Sequence, residues 1–557
     1  MHDPAASGVT ATHQDGRWTR FQHPVAFWLG AAACTAGVIL HLPMYLSARS
    51  MGYRMAGMPP DAAMLAGMAL IVAGLLLALY GLLPSGAAAV GKQAARVRVR
   101  AMDDARIHPQ HVLMLVVMAV AITIDVMKPA TLSFVAPGMT KEYALKSALN
   151  PHGHVPVAWL PLFGIAGTVA GSWLWGWVGD RIGRRSSIVY AGLLFVTTSI
   201  CGAMPGFSWN LLMCFLMGIG AGGMLPIAFA LMAETVPARH RGWLMVLIGG
   251  GVSAAGYVLT SWLAGALMPA YSWRVMWLVG LPTGLVIIAL NRWIPESPRY
   301  LLAAGQRDEA EKIMRKFGAA VVEADGEPDV AAERQVKDTF RQLAAPPFLG
   351  PSVSITILAI GVGLVTYGFQ LWIPTNLQHL GLTAVSSAGI VRNAALIGLP
   401  LSAVAAWLYG AWGSKKTITV FTALLTLALF ALVITGSSVA HRRILLTALL
   451  VVPLSGISLV AAIVSVYATE VYPTRIRSRG AGLAAGMTKA GGVLIIAMVV
   501  AAATTPSIAA TALIGAVPLI IGIAVFVRAG HETRGRRLEE ITQAELGLEQ
   551  GHALERA

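Results

Sequence analysis

The chain has 557 residues, of which 56% are hydrophobic and only 12% are charged. Soluble domains carry roughly 25% charged residues, so this composition excludes an ordinary soluble protein. The formal net charge is +15, but Lys and Arg lie between apolar runs rather than on one basic face. That distribution is typical of membrane topology signals, and we expect no nucleic-acid partner.

Apolar runs recur along the whole chain, many of them near the ~20 residues that a helix needs to cross a bilayer. We predict fourteen transmembrane helices, two first and twelve after them. The predicted spans are 24–47, 62–84, 111–138, 157–179, 186–204, 207–232, 243–267, 273–293, 351–375, 384–410, 417–436, 443–468, 481–503 and 508–528. The first apolar stretch is longer than that of a signal peptide, which favours an uncleaved helix.

The spans divide the chain into seven segments. They are a cytoplasmic N-terminus (1–23), an accessory two-helix hairpin (24–84), a basic cytoplasmic linker (85–110), a six-helix half (111–293), a cytoplasmic central loop (294–350), a second six-helix half (351–528) and a cytoplasmic tail (529–557). Most of the 41 Lys and Arg residues fall on the side that holds both ends of the chain. Positively charged loops stay in the cytoplasm, so both termini are predicted to be cytoplasmic.

An internal repeat links the two halves. The string Glu234-Thr-Val-Pro237 returns as Glu470-Val-Tyr-Pro473, 236 positions later. A weaker echo aligns Gly179-Asp180 with Gly413-Ser414 at a nearly equal offset. Similar offsets in two loops predict duplicated halves, which is the repeat pattern of secondary transporters.

The loop between the second and third core spans reads Gly176-Trp-Val-Gly-Asp180-Arg181-Ile-Gly183-Arg184-Arg185. It resembles the signature loop of the major facilitator superfamily, G-x-x-x-D-R-x-G-R-R. Further matches are Trp273-Arg274, Pro295-Glu296-Ser297-Pro298-Arg299 and Glu532-Thr533-Arg534-Gly535. Together they resemble the sugar-porter branch and its metabolite:proton symporter relatives, over about 111–541. The resemblance implies an all-α membrane protein of the major facilitator fold, with two six-helix halves (6+6). The two N-terminal helices are extra.

The seventh core span departs from the sugar porters. It reads Tyr367-Gly-Phe-Gln370-Leu-Trp372-Ile-Pro374-Thr-Asn376, with one Gln where sugar porters have a pair. This region is more similar to the organic-acid symporters. The fourth core helix also lacks the Arg that partners the first-helix Asp in proton-coupled sugar porters. We therefore do not expect a hexose as substrate.

Two charges lie deep in the first core span. Asp125 is near its midpoint and Lys128 follows at i+3 on a similar face. A charge at the bilayer centre costs at least ~2.5–3.5 kcal/mol on insertion scales, so such residues usually line a cavity. We assign proton coupling to Asp125 and Lys128, and substrate contact to Lys128. The alternative is a static buried ion pair.

Two bases in the second half are candidates for the same cavity. Arg392 lies about eight residues into the eighth core span, and Lys489 about as far from the inner end of the eleventh. The pair resembles the oxalate:formate exchanger branch, where it implies carboxylate binding; alternatively, either residue extends to the membrane surface. Gln370 and Asn376 are weaker substrate-binding candidates, since amides also join helices to one another.

A further group of residues is expected to control conformational exchange rather than substrate affinity. It comprises the signature loop and the acid–base pairs that close the two halves: Gly176, Asp180, Arg181, Gly183, Arg184, Arg185, Glu234, Arg241, Glu470 and Arg477. No nucleotide loop and no metal-ligand spacing occur in the sequence. We expect no cofactor, no metal and no enzymatic activity.

These observations predict a secondary active transporter that works by alternating access of its two halves. The deep bases outnumber Asp125, which favours proton-coupled uptake of a small organic anion. Its partners are then that solute, protons and the lipid bilayer, and we expect a monomer in a bacterial inner membrane. Two alternatives stay open: an exporter of drugs or of neutral metabolites or sugars, and a membrane sensor or scaffold that does not transport.

Overall fold

The computed structural model describes residues 22–83, 105–319, 340–346, 348–436, 442–472, 476–502 and 507–533. These residues are overwhelmingly helical, and within the described ranges no β-strand occurs beyond isolated bridges. Most of the predicted basic linker, much of the central loop and most of the tail lie outside the described residues.

The helices fall into three groups in chain order. The N-terminal hairpin consists of α1 (Pro24–Ile39), α2 (Leu42–Ser47) and α3 (Ala62–Leu82). The first half and the loop after it hold α4 (Pro109–Glu142), α5 (Trp159–Ile182), α6 (Arg184–Thr198), α7 (Phe207–Thr235), α8 (Ala238–Val246), α9 (Ser253–Tyr271), α10 (Val275–Leu278), α11 (Gly280–Leu290), α12 (Pro298–Ala303) and α13 (Arg307–Lys316). The second half holds α14 (Leu349–Gly368), α15 (Ile373–His379), α16 (Ala384–Trp412), α17 (Ser414–Thr435), α18 (Arg443–Glu470), α19 (Arg477–Ala502) and α20 (Ile508–Ala529).

Thirteen helical segments of the described chain are long and apolar enough to cross a membrane. They match thirteen of the fourteen predicted spans. The remaining prediction, 157–179, coincides with α5, a 24-residue helix that is not among the thirteen. At 1.5 Å per residue α5 is still about 36 Å long, enough to cross a bilayer of ~30 Å. The protein is a multi-pass integral membrane protein.

The predicted single seventh span, 351–375, is interrupted in the structure. Helix α14 ends at Gly368, a short 3-10 turn covers Gln370–Trp372, and α15 then runs on to His379. Pro374 lies in the first turn of α15. Because proline has no N–H, it suits a first helical turn and cannot continue the hydrogen bonding of a preceding helix.

The N-terminal hairpin is a tight helix pair. A Cβ on Gly37 of α1 would lie 2.6 Å from the backbone oxygen of Gly67 of α3, so only glycine allows this approach. The hairpin lies against α6, where the Tyr190 hydroxyl donates to the backbone oxygen of Leu75 at 3.1 Å. It is thus attached to the outside of the first half rather than to the seam between the halves.

The two halves meet along several helix pairs. Across this seam α9 packs against α16, α5 against α19, and α4 against α15. Helix α8 also packs against α16 and α18, at the end of the bundle that carries the signature loop. The seam therefore runs from the signature-loop end, past the middle of α4, to the opposite end.

Candidate substrate and coupling site

Asp125 lies near the middle of the 34-residue helix α4, in the interior of the protein. The residue is 5% exposed, and its Oδ1 atom is buried without a hydrogen-bond partner among the described residues. Buried polar atoms are nearly always paired, so an unpaired carboxylate oxygen points to a proton, a water or a ligand. It is the acid that the sequence analysis selected.

Lys489 reaches across the seam from the second half to the first. Its Nζ donates to the backbone oxygen of Thr168 at 3.1 Å and to the Oγ of Ser172, both on α5. The Ser172 hydroxyl is also within donating distance of the Thr168 and Gly222 backbone oxygens, at 2.8 Å each. Because its proton goes to one of those carbonyls, its lone pairs are free to accept from Lys489.

Asp125 lies within electrostatic range of Lys489. Positive charges on Lys489 and Lys128 both act on its carboxyl group, and Tyr367 of α14 lies within electrostatic range. We call Asp125, Tyr367, Lys489, Thr168 and Ser172 the seam cluster. It contains one acid and one base, contributed by opposite halves. Lys489 lies near the middle of α19, deeper than expected, because that helix begins at Arg477 rather than near 481.

Lys128 is not the ion-pair partner of Asp125. Among the described residues, no nitrogen–oxygen distance of 4.0 Å or less joins Asp125 to Lys128, and none joins it to Lys489. The ammonium instead lies 5.4 Å from the centre of the Phe195 ring and beside Gly280, inside the first half. Residues at i and i+3 of a helix are about 60° apart around the axis, which lets one face the seam and the other face α6.

Gln370 and Asn376 occupy the interrupted segment after α14. Both are buried, and the Tyr257 hydroxyl of α9 donates to the backbone oxygen of Gln370 at 3.2 Å. Tyr257 also contacts Phe134, nine positions beyond Asp125 on α4. These residues close the seam between the cluster and the end opposite the signature loop.

Arg392 makes its hydrogen bonds outside the seam cluster. Its guanidinium donates to the side-chain oxygen of Asn393 at 3.1 and 2.9 Å, and Asn393 is exposed. The exposed residues Leu396 and Ile397 follow on the same side of α16. Of the predicted substrate residues, Arg392 therefore has its hydrogen bonds on the exposed side of α16 rather than in the seam cluster.

At the signature-loop end, both halves use one motif to cap a helix. The N–H groups of Arg184 and Arg185 donate to Oε1 of Glu296 at 2.7 and 3.3 Å, at the start of α6. Gly183, with φ 91°, gives the carboxylate room, because a Cβ there would collide with it. Burial raises the pKa of the Glu296 carboxyl, while these donors and the charge of Arg185 oppose that shift.

The second half repeats this arrangement with Glu532. The N–H groups of Ser414 and Lys415 donate to its carboxylate at 2.7 and 3.2 Å, at the start of α17. Gly413 has φ 107°, and a Cβ there would again collide with the acid. The structural counterpart of Gly413 is therefore Gly183, not Gly179, and the predicted alignment of these loops was wrong by four residues.

Glu234 and Glu470 occupy matching positions beside these caps. Glu234 accepts from the Ser297 hydroxyl and lies 4.0 Å from Arg184, while Glu470 accepts from Thr533 and Tyr409 at 2.8 and 2.6 Å. The acid Glu470 also lies against Gly242 of the first half. Glu234 and Glu470, like Glu296 and Glu532, are 236 positions apart, the offset of the predicted repeat.

The other predicted gating bases contact residues at the same end of the bundle. Arg181 stacks on Trp177 at 3.9 Å, Arg185 donates to Asn291 at 2.8 Å, and Arg241 donates to the backbone oxygen of Val236 at 3.0 Å. The remaining three, whose side chains lie outside the described part of the structure, are Gly176, Asp180 and Arg477.

The opposite end of the first half contains a buried ion pair. Arg274 contacts Glu142 at 2.6 Å, with the side chains 0% and 6% exposed. The hairpin completes this pair, since the N–H groups of Met55 and Ala56 donate to Glu142 at 2.7 and 3.1 Å. Sequence analysis missed this group because nothing local links residues so far apart.

Sequence analysis also missed Ser172, and it named Glu296 and Glu532 only as parts of family matches, not as helix caps. The caps could have been found, since they share the offset of 236 positions. No group of three His, Cys, Asp or Glu residues in the described part of the chain could hold a metal ion.

Two repeated helical halves, a charged cluster at their seam and matched caps at one end define a secondary active membrane transporter. The family model of the Major Facilitator Superfamily matches residues 112–497, and the chain belongs to that superfamily.

Several curated relatives are transporters. The chain is 28% identical to the niacin transporter NiaP of Acinetobacter baylyi over 77% of this chain and 96% of that protein. It is 32% identical to the inner membrane metabolite transport protein YgcS of Escherichia coli, over 66% of this chain and 81% of that protein. It is also similar to the putative niacin/nicotinamide transporter NiaP of Bacillus subtilis, with 27% identity over 74% and 94% of the two chains.

Solved structures show the same fold. The proton:xylose symporter XylE superposes with a TM-score of 0.61 at 18% identity, covering 78% of this chain and 99% of that one. A partially occluded inward-open form of XylE from Escherichia coli gives a TM-score of 0.62 at 16% identity, over 77% and 100% of the two chains.

Proposed function

We propose that this transporter carries a small organic anion together with protons, and that the seam cluster is the binding and coupling site. The observation that carries the proposal is the buried, unpaired Oδ1 of Asp125 within the field of Lys489. An acid of one half and a base of the other thus interact electrostatically across the seam, where alternating access must separate and rejoin the halves.

Lys489 is the proposed anion ligand. Its ammonium has three donors, and its contacts on α5 are neutral oxygens of Thr168 and Ser172. A carboxylate is a stronger acceptor than a neutral oxygen. A substrate carboxylate can therefore draw Lys489 away from α5 and loosen the contact between α5 and α19.

Asp125 is the proposed proton carrier. An ionised carboxylate buried without donors is costly, and the nearby charge of Lys489 offsets part of that cost. When a substrate anion binds Lys489, the lysine stabilises the Asp125 carboxylate less. Protonation of Asp125 then removes the free-energy cost of burying its charge. Anion binding then favours proton binding, and by linkage protonation favours anion binding to the same degree. Lys128 lies further inside the first half. In this proposal it contributes a constant positive charge near Asp125 and does not change its contacts when the substrate binds.

The names of two relatives support an anionic substrate. One is described as a niacin transporter and the other as a putative niacin/nicotinamide transporter, and niacin is a small aromatic carboxylic acid. We further infer uptake rather than export, in a bacterial inner membrane, by a monomer with both termini in the cytoplasm. The distribution of Lys and Arg supports that orientation.

A thermal-shift comparison of nicotinate and nicotinamide tests the proposal. The two solutes have the same ring and nearly the same size, but at neutral pH only nicotinate is an anion. A ligand that binds the folded protein raises its Tm, so nicotinate or another small carboxylate should stabilise the protein and neutral solutes should not. The shift should vanish in Lys489→Gln and persist in Arg392→Gln. Stabilisation by neutral solutes alone would refute an anion carrier, and dependence on Arg392 would move the site to α16.

A further inference from the structure

A cavity of about 530 Å³ opens at the signature-loop end of the seam, apart from the seam cluster. Its walls come from both halves. Arg239, His240 and Trp243 of α8 form one side, while Ala406, Trp407 and Gly410 of α16 contribute to the other. The proposed transport mechanism does not use these residues.

The α16 side of this cavity faces the surroundings of the bundle. Trp407 is 68% exposed on a membrane-spanning helix, and Trp412 at the end of that helix is 51% exposed. Trp407 lies five residues before the end of α16, and tryptophans near the ends of membrane helices gather at the membrane–water interface, where their rings contact lipid. The small residues Ala406 and Gly410 leave a shallow apolar groove beside Trp407. The cavity is therefore open to lipid.

The α8 side supplies positive charge and hydrogen-bond donors. Arg239 is exposed. The Trp243 Nε1–H donates to Nδ1 of His240 at 3.2 Å, so the proton of a neutral His240 ring lies on Nε2. Glu470, the acid that lies beside Gly242, already accepts from Tyr409 and Thr533. Basic pockets between membrane helices on the cytoplasmic side are suited to anionic headgroups.

We propose that this seam cavity binds an anionic phospholipid, with the phosphate at Arg239 and His240 and an acyl chain along α16 beside Trp407. The charge of the α8 side fits the headgroup, and the apolar, exposed face of α16 fits the chain. Because both halves form the cavity, separation of α8 from α16 destroys it. A bound lipid therefore favours the arrangement in which the signature-loop end is closed.

The test compares lipids that differ only in the headgroup. Detergent-solubilised full-length protein is heated with phosphatidylglycerol, with phosphatidylcholine of the same acyl chains, or with inorganic phosphate. Phosphatidylglycerol should raise Tm by several degrees more than phosphatidylcholine, and phosphate should have little effect. That difference should disappear in the double variant Arg239→Gln/His240→Gln.

Arg292→Gln is the matched control. Arg292 is exposed and stacks on Trp293 at 4.0 Å, but it does not line the cavity. The lipid effect should persist in this variant. Equal shifts with both lipids, or an undiminished effect in the double variant, would overturn the proposal. An equal shift with inorganic phosphate would replace the lipid by a free anion. If the double variant does not fold, Arg239→Gln is tested alone, because Arg239 is exposed. This variant should lose at least half of the difference in Tm between the two lipids.

Discussion

The Nζ of Lys489 lies 3.1 Å from the backbone oxygen of Thr168, so a base of the second half is bonded to a helix of the first half. The contact lies near the middle of both helices, between α5 and α19. An ammonium binds a carboxylate more strongly than it binds neutral oxygens, so a substrate anion can replace these contacts. The proposed binding of the anion therefore depends on this one side chain.

Replacing Lys489 by Gln should weaken anion binding by roughly 10- to 150-fold, the equivalent of one charge-assisted hydrogen bond of about 1.5–3 kcal/mol. Titration of the purified protein with the stabilising carboxylate measures the affinity. Lys489→Arg keeps the charge and should retain more binding than Lys489→Gln. Equal affinity in wild type and Lys489→Gln would exclude Lys489 as the anion ligand.

Replacing Lys128 by Met should have a smaller effect on binding, within about threefold, because the ammonium lies over Phe195 and away from the seam. A buried charge replaced by an apolar side chain of similar length is often neutral or stabilising. The same titration, together with Tm, checks this expectation. A loss of affinity as large as that of Lys489→Gln would restore Lys128 as a substrate ligand, as the sequence suggested.

Removing either helix cap should slow transport while leaving substrate affinity nearly unchanged. Glu296→Ala and Glu532→Ala each free two N–H groups at a helix start, far from Asp125. Loss of a cap costs about 0.5–2 kcal/mol, and we expect transport to fall about tenfold. Glu296→Gln keeps one acceptor and should be milder. Initial rates in proteoliposomes and binding by titration separate the two effects; a large loss of affinity with normal rates would contradict the gating role.

Breaking the buried pair at the opposite end should destabilise the protein. Glu142→Gln leaves Arg274 buried without its counter-ion, a loss of about 3–5 kcal/mol. The exposed pair Arg307–Glu311 provides the control, because Glu311→Gln should change little. Truncation of the hairpin should also lower Tm, since it removes the N–H groups of Met55 and Ala56 from Glu142. An unchanged Tm in both Glu142→Gln and the truncation would show that this network does not stabilise the fold.

The positions of the helices followed from the sequence because a bilayer demands long apolar runs, and one run predicts one helix. The repeat was visible in Glu234 and Glu470. The alignment of the signature loop with the loop at Gly413 was wrong, because Gly179 and Gly183 both precede the basic start of α6 and either could be the counterpart. The deep acid Asp125 was recognised from its cost in lipid. Lys489 was also named as a cavity residue, but the sequence could not tell whether Lys128, Arg392 or Lys489 contacts the opposite half, because the packing of α5 against α19 decides that.

The most direct test of the account is to measure, in the same proteoliposomes, substrate exchange and accumulation driven by a pH gradient, for wild type and Asp125→Asn. Asn cannot carry a proton but has nearly the same shape as Asp. We expect the wild type to accumulate the anion only under an inward proton gradient. Asp125→Asn should keep exchange and lose accumulation. Full gradient-driven accumulation by Asp125→Asn would contradict the account and remove Asp125 from the coupling mechanism.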